Sequence, residues 1–397
     1  MRVALFTDTY VPDVNGVART LGRWVDYLQA REVPCKVFAP QSGNGSVEVP
    51  FDRLVERFAS IPFLLYPECR LAMANPLHVT RMLDSFRPTL IHVATPFNLG
   101  LLGIRYAAKR GIPLVASYHT HFDRYLQHYR LQWMKPMLWR YMAWFHKDCR
   151  KIYVPSPSTA EHLRLKGFDN LEIWSRGVDS TRFRPITTEQ RAAALRKYGI
   201  EEADAFVLLF VGRLAPEKSA DVVLEAYSRL PDRVKRRAKV ILAGDGPLFG
   251  ALSEFVKGDR NIVFPGFVQG NELRDLYAAA DAFVFPSATE TFGNVVLEAM
   301  AAGTPVIGSA AGGVKDTIQD GVNGMLCEPG DADAFSQAIV RLFDDASYRR
   351  ALSQAGRAYG KEQSWERIFG RLLDSYGEVS GTLEQKRPRI TIHASSG

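Results

Sequence analysis

Two cations and two carboxylates stand just after apolar runs, at spacings suited to a charged, hydroxyl-rich ligand. The run Phe206–Val211 leads into Gly212-Arg213-Leu214-Ala215-Pro216-Glu217-Lys218, which puts Arg213 and Lys218 beside the start of a helix. Cations at a helix N-terminus suit a diphosphate, because amide groups, dipole and side-chain charge act together. A solvated capping turn uses the same residue types. The run Ala282–Phe285 leads into a loop holding Glu290, then Phe292-Gly293-Asn294, with Glu298 about one turn into the next helix. Two carboxylates there can accept hydrogen bonds from the hydroxyls of a sugar and a ribose; a capping acid and a surface acid are the bland alternative.

Other loops add weaker signals. Gly244-Asp245-Gly246-Pro247 is a tight glycine turn that lets another group approach the backbone. Near the N-terminus, Asn15-Gly16 before a helix can set bare backbone against a charged ligand. His119-Thr120-His121 follows the apolar run Pro113–Tyr118, but no third metal ligand is apparent, so no metal site is expected. Cys35, Cys69, Cys149 and Cys327 show no paired spacing and read as buried thiols.

The elements that must position these loops are short apolar runs alternating with helical periodicity, the pattern of parallel sheets covered by helices on both faces. Strands are expected near 3–7, 35–39, 90–94, 113–118, 151–155 and 171–174, then near 206–211, 240–243, 262–264, 282–285, 305–308 and 324–327. Helices are expected over Ala18–Gln29 and Ser219–Arg229, among others. The fold class is α/β, with two doubly wound Rossmann-like domains. The expected division is 1–180, then 181–364, with a terminal helix 365–380 returning to the first domain and a flexible tail 381–397. In parallel sheets ligands gather at the carboxyl ends of strands, which is where the residues above fall.

Composition agrees. The 397 residues exceed one typical domain, and 46% hydrophobic residues suffice for two cores. No apolar run reaches the roughly 18–20 residues of a membrane span, and the expected location is the cytoplasm, with the inner face of the plasma membrane as a site of peripheral attachment. The net charge of +7 is uneven: residues 1–180 hold 23 Lys and Arg against 15 Asp and Glu, and the remainder 27 against 28. The segment Tyr129–Lys151 mixes Trp133, Trp139, Trp144 and Phe145 with six cations, which fits either an anionic interface or a helix with a buried face. No nucleic-acid-binding module is present, and nucleic acid is not an expected partner.

Taken together the loops resemble the retaining nucleotide-sugar glycosyltransferases of family GT4, which have the GT-B fold of two Rossmann-like domains facing across a cleft. The resemblance covers roughly residues 3–380 and is carried by Glu290-x7-Glu298 with Ala299-Met300-Ala301-Ala302-Gly303-Thr304-Pro305, by Gly212-Arg213-x4-Lys218, by Gly244-Asp245-Gly246-Pro247 and by Gly312-Gly313. It implies that Arg213 and Lys218 hold the donor diphosphate, Glu298 the ribose and Glu290 the transferred sugar, with Gly212, Gly244, Phe292, Gly293 and Asn294 lining the donor. Gly16 would complete the phosphate pocket, His119 would face sugar or acceptor, and backbone around Phe267-Val268 would grip the base. The catalytic set so implied is His119, Arg213, Lys218 and Glu290.

A narrower likeness, through the segment Pro62 to Leu71, through Ser117-Tyr118-His119-Thr120 and through Arg176-Gly177-Val178-Asp179, points to the branch of GDP-mannose-dependent lipid mannosyltransferases and sulfoquinovosyl-diacylglycerol synthases. His121 departs from that branch's pattern. The resemblance implies hexosyl transfer from GDP-mannose or a UDP-hexose to a lipid or glycan hydroxyl, with retention, no cofactor and no metal, and with a donor phosphate oxygen taking the acceptor's proton. A soluble or polysaccharide acceptor, or a sugar-nucleotide epimerase or phosphorylase of similar architecture, is the alternative.

Overall fold

The computed structural model describes residues 1–13, 15–42, 52–62, 70–120, 126 and 132–381. His121, Cys69 and most of the motif between Pro62 and Leu71 lie outside them, as does the tail beyond Gly381.

In chain order the first strands are β1 Val3–Phe6, β2 Cys35–Pro40, β3 Val55–Phe58, β4 Ser60–Pro62, β5 Arg70–Ala72, β6 Leu90–Val93, β7 Leu114–Ser117, β8 Lys151–Val154 and β9 Leu171–Ile173. Seven of them form a sheet in the order β3-β2-β1-β6-β7-β8-β9, while β4 and β5 pair separately and antiparallel. The second half supplies β10 Phe206–Val211, β11 Ala238–Ala243, β12 Ile262–Gly266, β13 Ala282–Phe285, β14 Val306–Ser309 and β15 Met325–Cys327, ordered β12-β11-β10-β13-β14-β15 with every pairing parallel. Helices on both faces bury the central strands completely, so β1 reads Val-Ala-Leu-Phe and β10 reads Phe-Val-Leu-Leu-Phe-Val without a polar residue.

By contacts the chain divides into two compact units. One holds Met1–Ser117, Lys147–Lys151 and the segment from Phe369 on; the other holds Tyr118–His146 and Ile152–Ile368. The sequence reading divides the chain at 180/181; the contact division falls earlier, and the loops after β7 and β8 bond to the second half of the chain. Thr291 Oγ1 donates to the His119 carbonyl oxygen at 2.9 Å, and the Ser158 amide donates to Asp316 Oδ2 at 2.9 Å.

In the first unit, Asn15 Oδ1 caps the helix Gly16–Ala30 by accepting from the Ala18 amide at 2.8 Å. That helix buries Trp24, which meets Phe369 and Tyr376 of the terminal helix Trp365–Ser380 at ring distances of 5.3 Å each. A polar chain runs beside this cluster. The Tyr376 hydroxyl and His92 Nδ1 are 2.5 Å apart, and His92 Nε2 lies 2.9 Å from Ser117 Oγ. Burial pushes the His92 imidazole down to about 3, so it stays neutral with both nitrogens engaged.

Unfolding exposes His92, which then takes a proton below its ordinary value near 6.5, whereas the folded imidazole does not. Stability of the first unit is therefore expected to fall as pH drops from about 6.5 toward 3, and a His92→Gln variant is expected to flatten that slope in denaturant titrations. Tyr376→Phe, which leaves a buried ring nitrogen without its hydroxyl, is expected to cost about 1–3 kcal/mol at neutral pH.

Candidate active site

Strand order decides where the second unit can bind a ligand. The chain leaves β10 toward β11 and β12 on one side, and β13 toward β14 and β15 on the other, so β10 and β13 flank a topological switch point. The loops after β10, β11, β12, β13 and β14 therefore share one carboxyl edge. They carry Gly212, Arg213 and Lys218, then Gly244, then Val268, then Glu290, Phe292, Gly293 and Asn294, with Glu298 in the helix Asn294–Ala302.

Across the switch point, Lys218 Nζ is salt-bridged to Glu290 Oε1, both side chains about four-fifths buried at 20% and 17% exposure. Arg213 Nη2 is paired with Glu217 Oε1. Glu217 entered the sequence reading only as part of the run Gly212–Lys218, without a role; it lies four residues after Arg213, in the short turn Pro216–Lys218. The Glu217 carbonyl in turn accepts from Ser287 Oγ at 2.9 Å and Thr289 Oγ1 at 3.1 Å, lashing the loop after β10 to the loop after β13. The quartet carries two positive and two negative charges, so the two cations do not by themselves make the site electropositive.

The remaining positive potential comes from backbone. The helices Ala220–Ser228 and Asn294–Ala302 open after Ser219 and Gly293, both in left-handed conformation, and no N-cap side chain accepts from their first amides. Helix N-termini left this way favour anions. Asn294 Oδ1 is buried with no hydrogen-bond partner among the described residues, and Phe292 and Gly293 are buried beside it.

Glycines let these loops close on one another. A Cβ on Gly244 would stand 1.8 Å from the Gly212 carbonyl oxygen. One on Gly313 would stand 2.2 Å from the Thr291 carbonyl, while the Gly313 amide donates to the Glu290 carbonyl at 2.8 Å. Gly312-Gly313 thus supports the backbone that bears Glu290. Val268 is buried in the loop after β12, and exposed Phe267 precedes it.

His119 is buried in this same unit. Its Nδ1 accepts from Arg176 Nη2 at 2.6 Å, its ring stands edge-on to Trp174 at 5.4 Å, and its carbonyl holds Thr291, the residue after Glu290. Arg176 entered the sequence reading only as part of a motif; no spacing linked it to His119, 57 residues away. Gly177 beside it packs on the Trp365 backbone, where a Cβ would lie 2.8 Å from the amide nitrogen. Gly16 belongs to the first unit, where it opens the helix Gly16–Ala30. In that unit Asp8 has no role in the sequence reading; its carboxylate accepts from Thr95 Oγ1 at 2.7 Å across the β1–β6 switch point, and burial pushes it up to about 7.

Residues 14–182 match the family described as Glycosyltransferase Family 4, and residues 192–359 match Glycosyl transferases group 1. A GDP-mannose-dependent alpha-mannosyltransferase of Corynebacterium glutamicum is 31% identical, the alignment spanning 98% of this chain and 91% of the relative. The chain belongs to the family 4, group 1 glycosyltransferases. This glycosyltransferase is also 30% identical to sulfoquinovosyl transferase SQD2 of Arabidopsis thaliana over 92% of its own length and 71% of the relative's. Its fold is GT-B. Anabaena HepE, solved in complex with UDP, superposes with a TM-score of 0.77 at 20% identity, covering 95% of this chain and all of that one. The enzyme is a hexosyltransferase, and the loops that carried the resemblance are those gathered at the switch point.

Gly313→Ala forces a methyl group into the Thr291 carbonyl. It is expected to cost about 1–3 kcal/mol in urea unfolding of the second unit, with Gly250→Ala, where a Cβ meets nothing within 4 Å, as the near-neutral control.

Proposed function

We propose that the enzyme moves a hexosyl group from a nucleoside-diphosphate sugar, GDP-mannose or a UDP-hexose, to a hydroxyl of a lipid or glycolipid, keeping the anomeric configuration. The observation that carries this reading is the Lys218–Glu290 pair at the switch point beside the uncapped helix Asn294–Ala302. In it, Lys218 and Arg213 meet the diphosphate, Glu290 and Glu298 accept from the hydroxyls of sugar and ribose, and backbone near Val268 holds the base. Negative charge builds on the diphosphate as the glycosidic bond breaks, and preorganised N–H groups of Arg213, Lys218 and the helix stabilise it. A donor phosphate oxygen on the same face takes the acceptor's proton, so Glu290 serves as a sugar ligand rather than a nucleophile. Charge stabilisation is assigned to protein groups without a metal.

The helix Lys135–His146 supports a membrane-borne acceptor. One face buries Met142 and Phe145, and Trp139 packs on His162 and Phe168. On the preceding turn and the other face, Trp133, Met137 and Trp144 are 75%, 58% and 50% exposed, with Arg140 exposed nearby. Large apolar side chains flanked by cations suit an anionic bilayer surface. No helix among the described residues is long and apolar enough to cross a membrane.

Lys218→Ala and Glu290→Ala are expected to lower turnover about 10²–10³-fold with circular dichroism unchanged. Near-native turnover in either would reject the assigned roles. In a thermal-shift panel of UDP-, GDP- and ADP-sugars, one base class is expected to raise the melting temperature, since a donor that binds only the native state stabilises it. Sedimentation with phosphatidylglycerol vesicles is expected to carry down the wild type at low salt and much less of a Trp133→Ser, Trp144→Ser double variant. Absence of wild-type binding at both low and high salt would remove the membrane arm.

A further inference from the structure

Arg176 is 4% exposed and has no carboxylate within ion-pair distance among the described residues. Its Nη1 donates to the Trp174 carbonyl at 2.9 Å, its guanidinium carbon lies 5.2 Å from the centroid of the Trp174 ring, and its Nη2 reaches His119 Nδ1 at 2.6 Å. A charge buried without a counter-ion is destabilising, and an apolar side chain of similar volume would fill the same space at lower cost. What the apolar residue would lack is donation to the neighbouring Trp174 carbonyl and, across the fold, to His119.

The chemistry of that bond is one-directional. A guanidinium has only N–H donors, so His119 Nδ1 must be the acceptor and the neutral ring carries its proton on Nε2. Adding a proton at Nδ1 would set N–H against N–H and place a second positive charge against the first. Trp174 stands against the ring's edge, and Thr291 Oγ1 anchors the His119 backbone through its carbonyl.

We propose that Arg176 is a positioning residue that holds His119 as the neutral Nε2–H tautomer, so that His119 serves the transfer reaction as a hydrogen-bond donor to a substrate oxygen and not as its base. The guanidinium behind the ring polarises it, which strengthens donation from Nε2 without the ring taking up a proton. The link between Thr291 and His119 ties this donor to the loop that presents Glu290. The assignment rests on the transferase reading for its use, but not for its geometry.

The test is histidine nitrogen NMR on the full-length, substrate-free protein at neutral pH, with His119→Gln used to assign the His119 signals. The expected spectrum shows an unprotonated Nδ1 and a protonated Nε2; a protonated Nδ1, in either the other tautomer or the imidazolium, overturns the proposal. Arg176→Met is expected to populate both tautomers and lower kcat about tenfold or more, while the melting-temperature shift given by the donor identified in the nucleotide-sugar panel stays near that of wild type. Arg176→Lys, which can still donate, is expected to restore the Nε2–H form and part of kcat. A native tautomer with native kcat in Arg176→Met overturns the proposal. Should that variant not fold, the wild-type spectrum decides alone. Because the spectrum needs neither donor nor acceptor, it can fail while Lys218→Ala and Glu290→Ala behave as expected, and the reverse.

Discussion

The ion pair between Lys218 and Glu290 joins the loop after β10 to the loop after β13, and the rest of the second unit is arranged to make that meeting possible. An isolated lysine or glutamate this far from water would be costly, so the two stabilise one another's burial. The neighbouring Arg213–Glu217 pair repeats the device, and the four charges sum to zero. A neutral quartet can remain folded in water-poor surroundings, yet its members keep N–H donors and carboxylate oxygens that an anionic, hydroxyl-bearing ligand can engage. The excess attraction for negative charge then falls to helix N-termini, whose partial charges are permanent and cost no rearrangement.

Close backbone approach is the second constraint. The loop after β11 presses on the loop after β10 at Gly244 and Gly212, and the loop after β14 presses on residues 290–292 at Gly312 and Gly313. Side chains at these places would force the loops apart and separate the ion pair's two halves. A glycine motif far from Glu290 in sequence is thus part of how Glu290 is held.

Much of the frame was legible in the chain. Central parallel strands are dry on both faces, so β1, β10 and β13 appear as unbroken apolar runs at the expected places. The edge strand β3, Val-Glu-Arg-Phe, and the three-residue strands β4 and β5 escaped, because half-exposed short strands carry too few apolar residues to stand out. The helix Trp365–Ser380 and its return to the first domain were expected, but the residues it meets, Trp24 and His92, were not. The aromatic segment 129–151 fitted both a buried and an interfacial helix, and its described helix Lys135–His146 holds Met142 and Phe145 inward and Trp144 outward.

By itself the sequence determined which residues stand at strand ends, since periodicity and apolar runs are local properties, and it placed Arg213, Lys218, Glu290 and Glu298 there. Only the tertiary structure decided the long-range partners: that Lys218 holds Glu290 and that Arg176 holds His119. The reason is distance along the chain. Partners 72 and 57 residues apart leave no periodic trace, and they meet through strand order and loop packing, which arise when the whole sheet assembles.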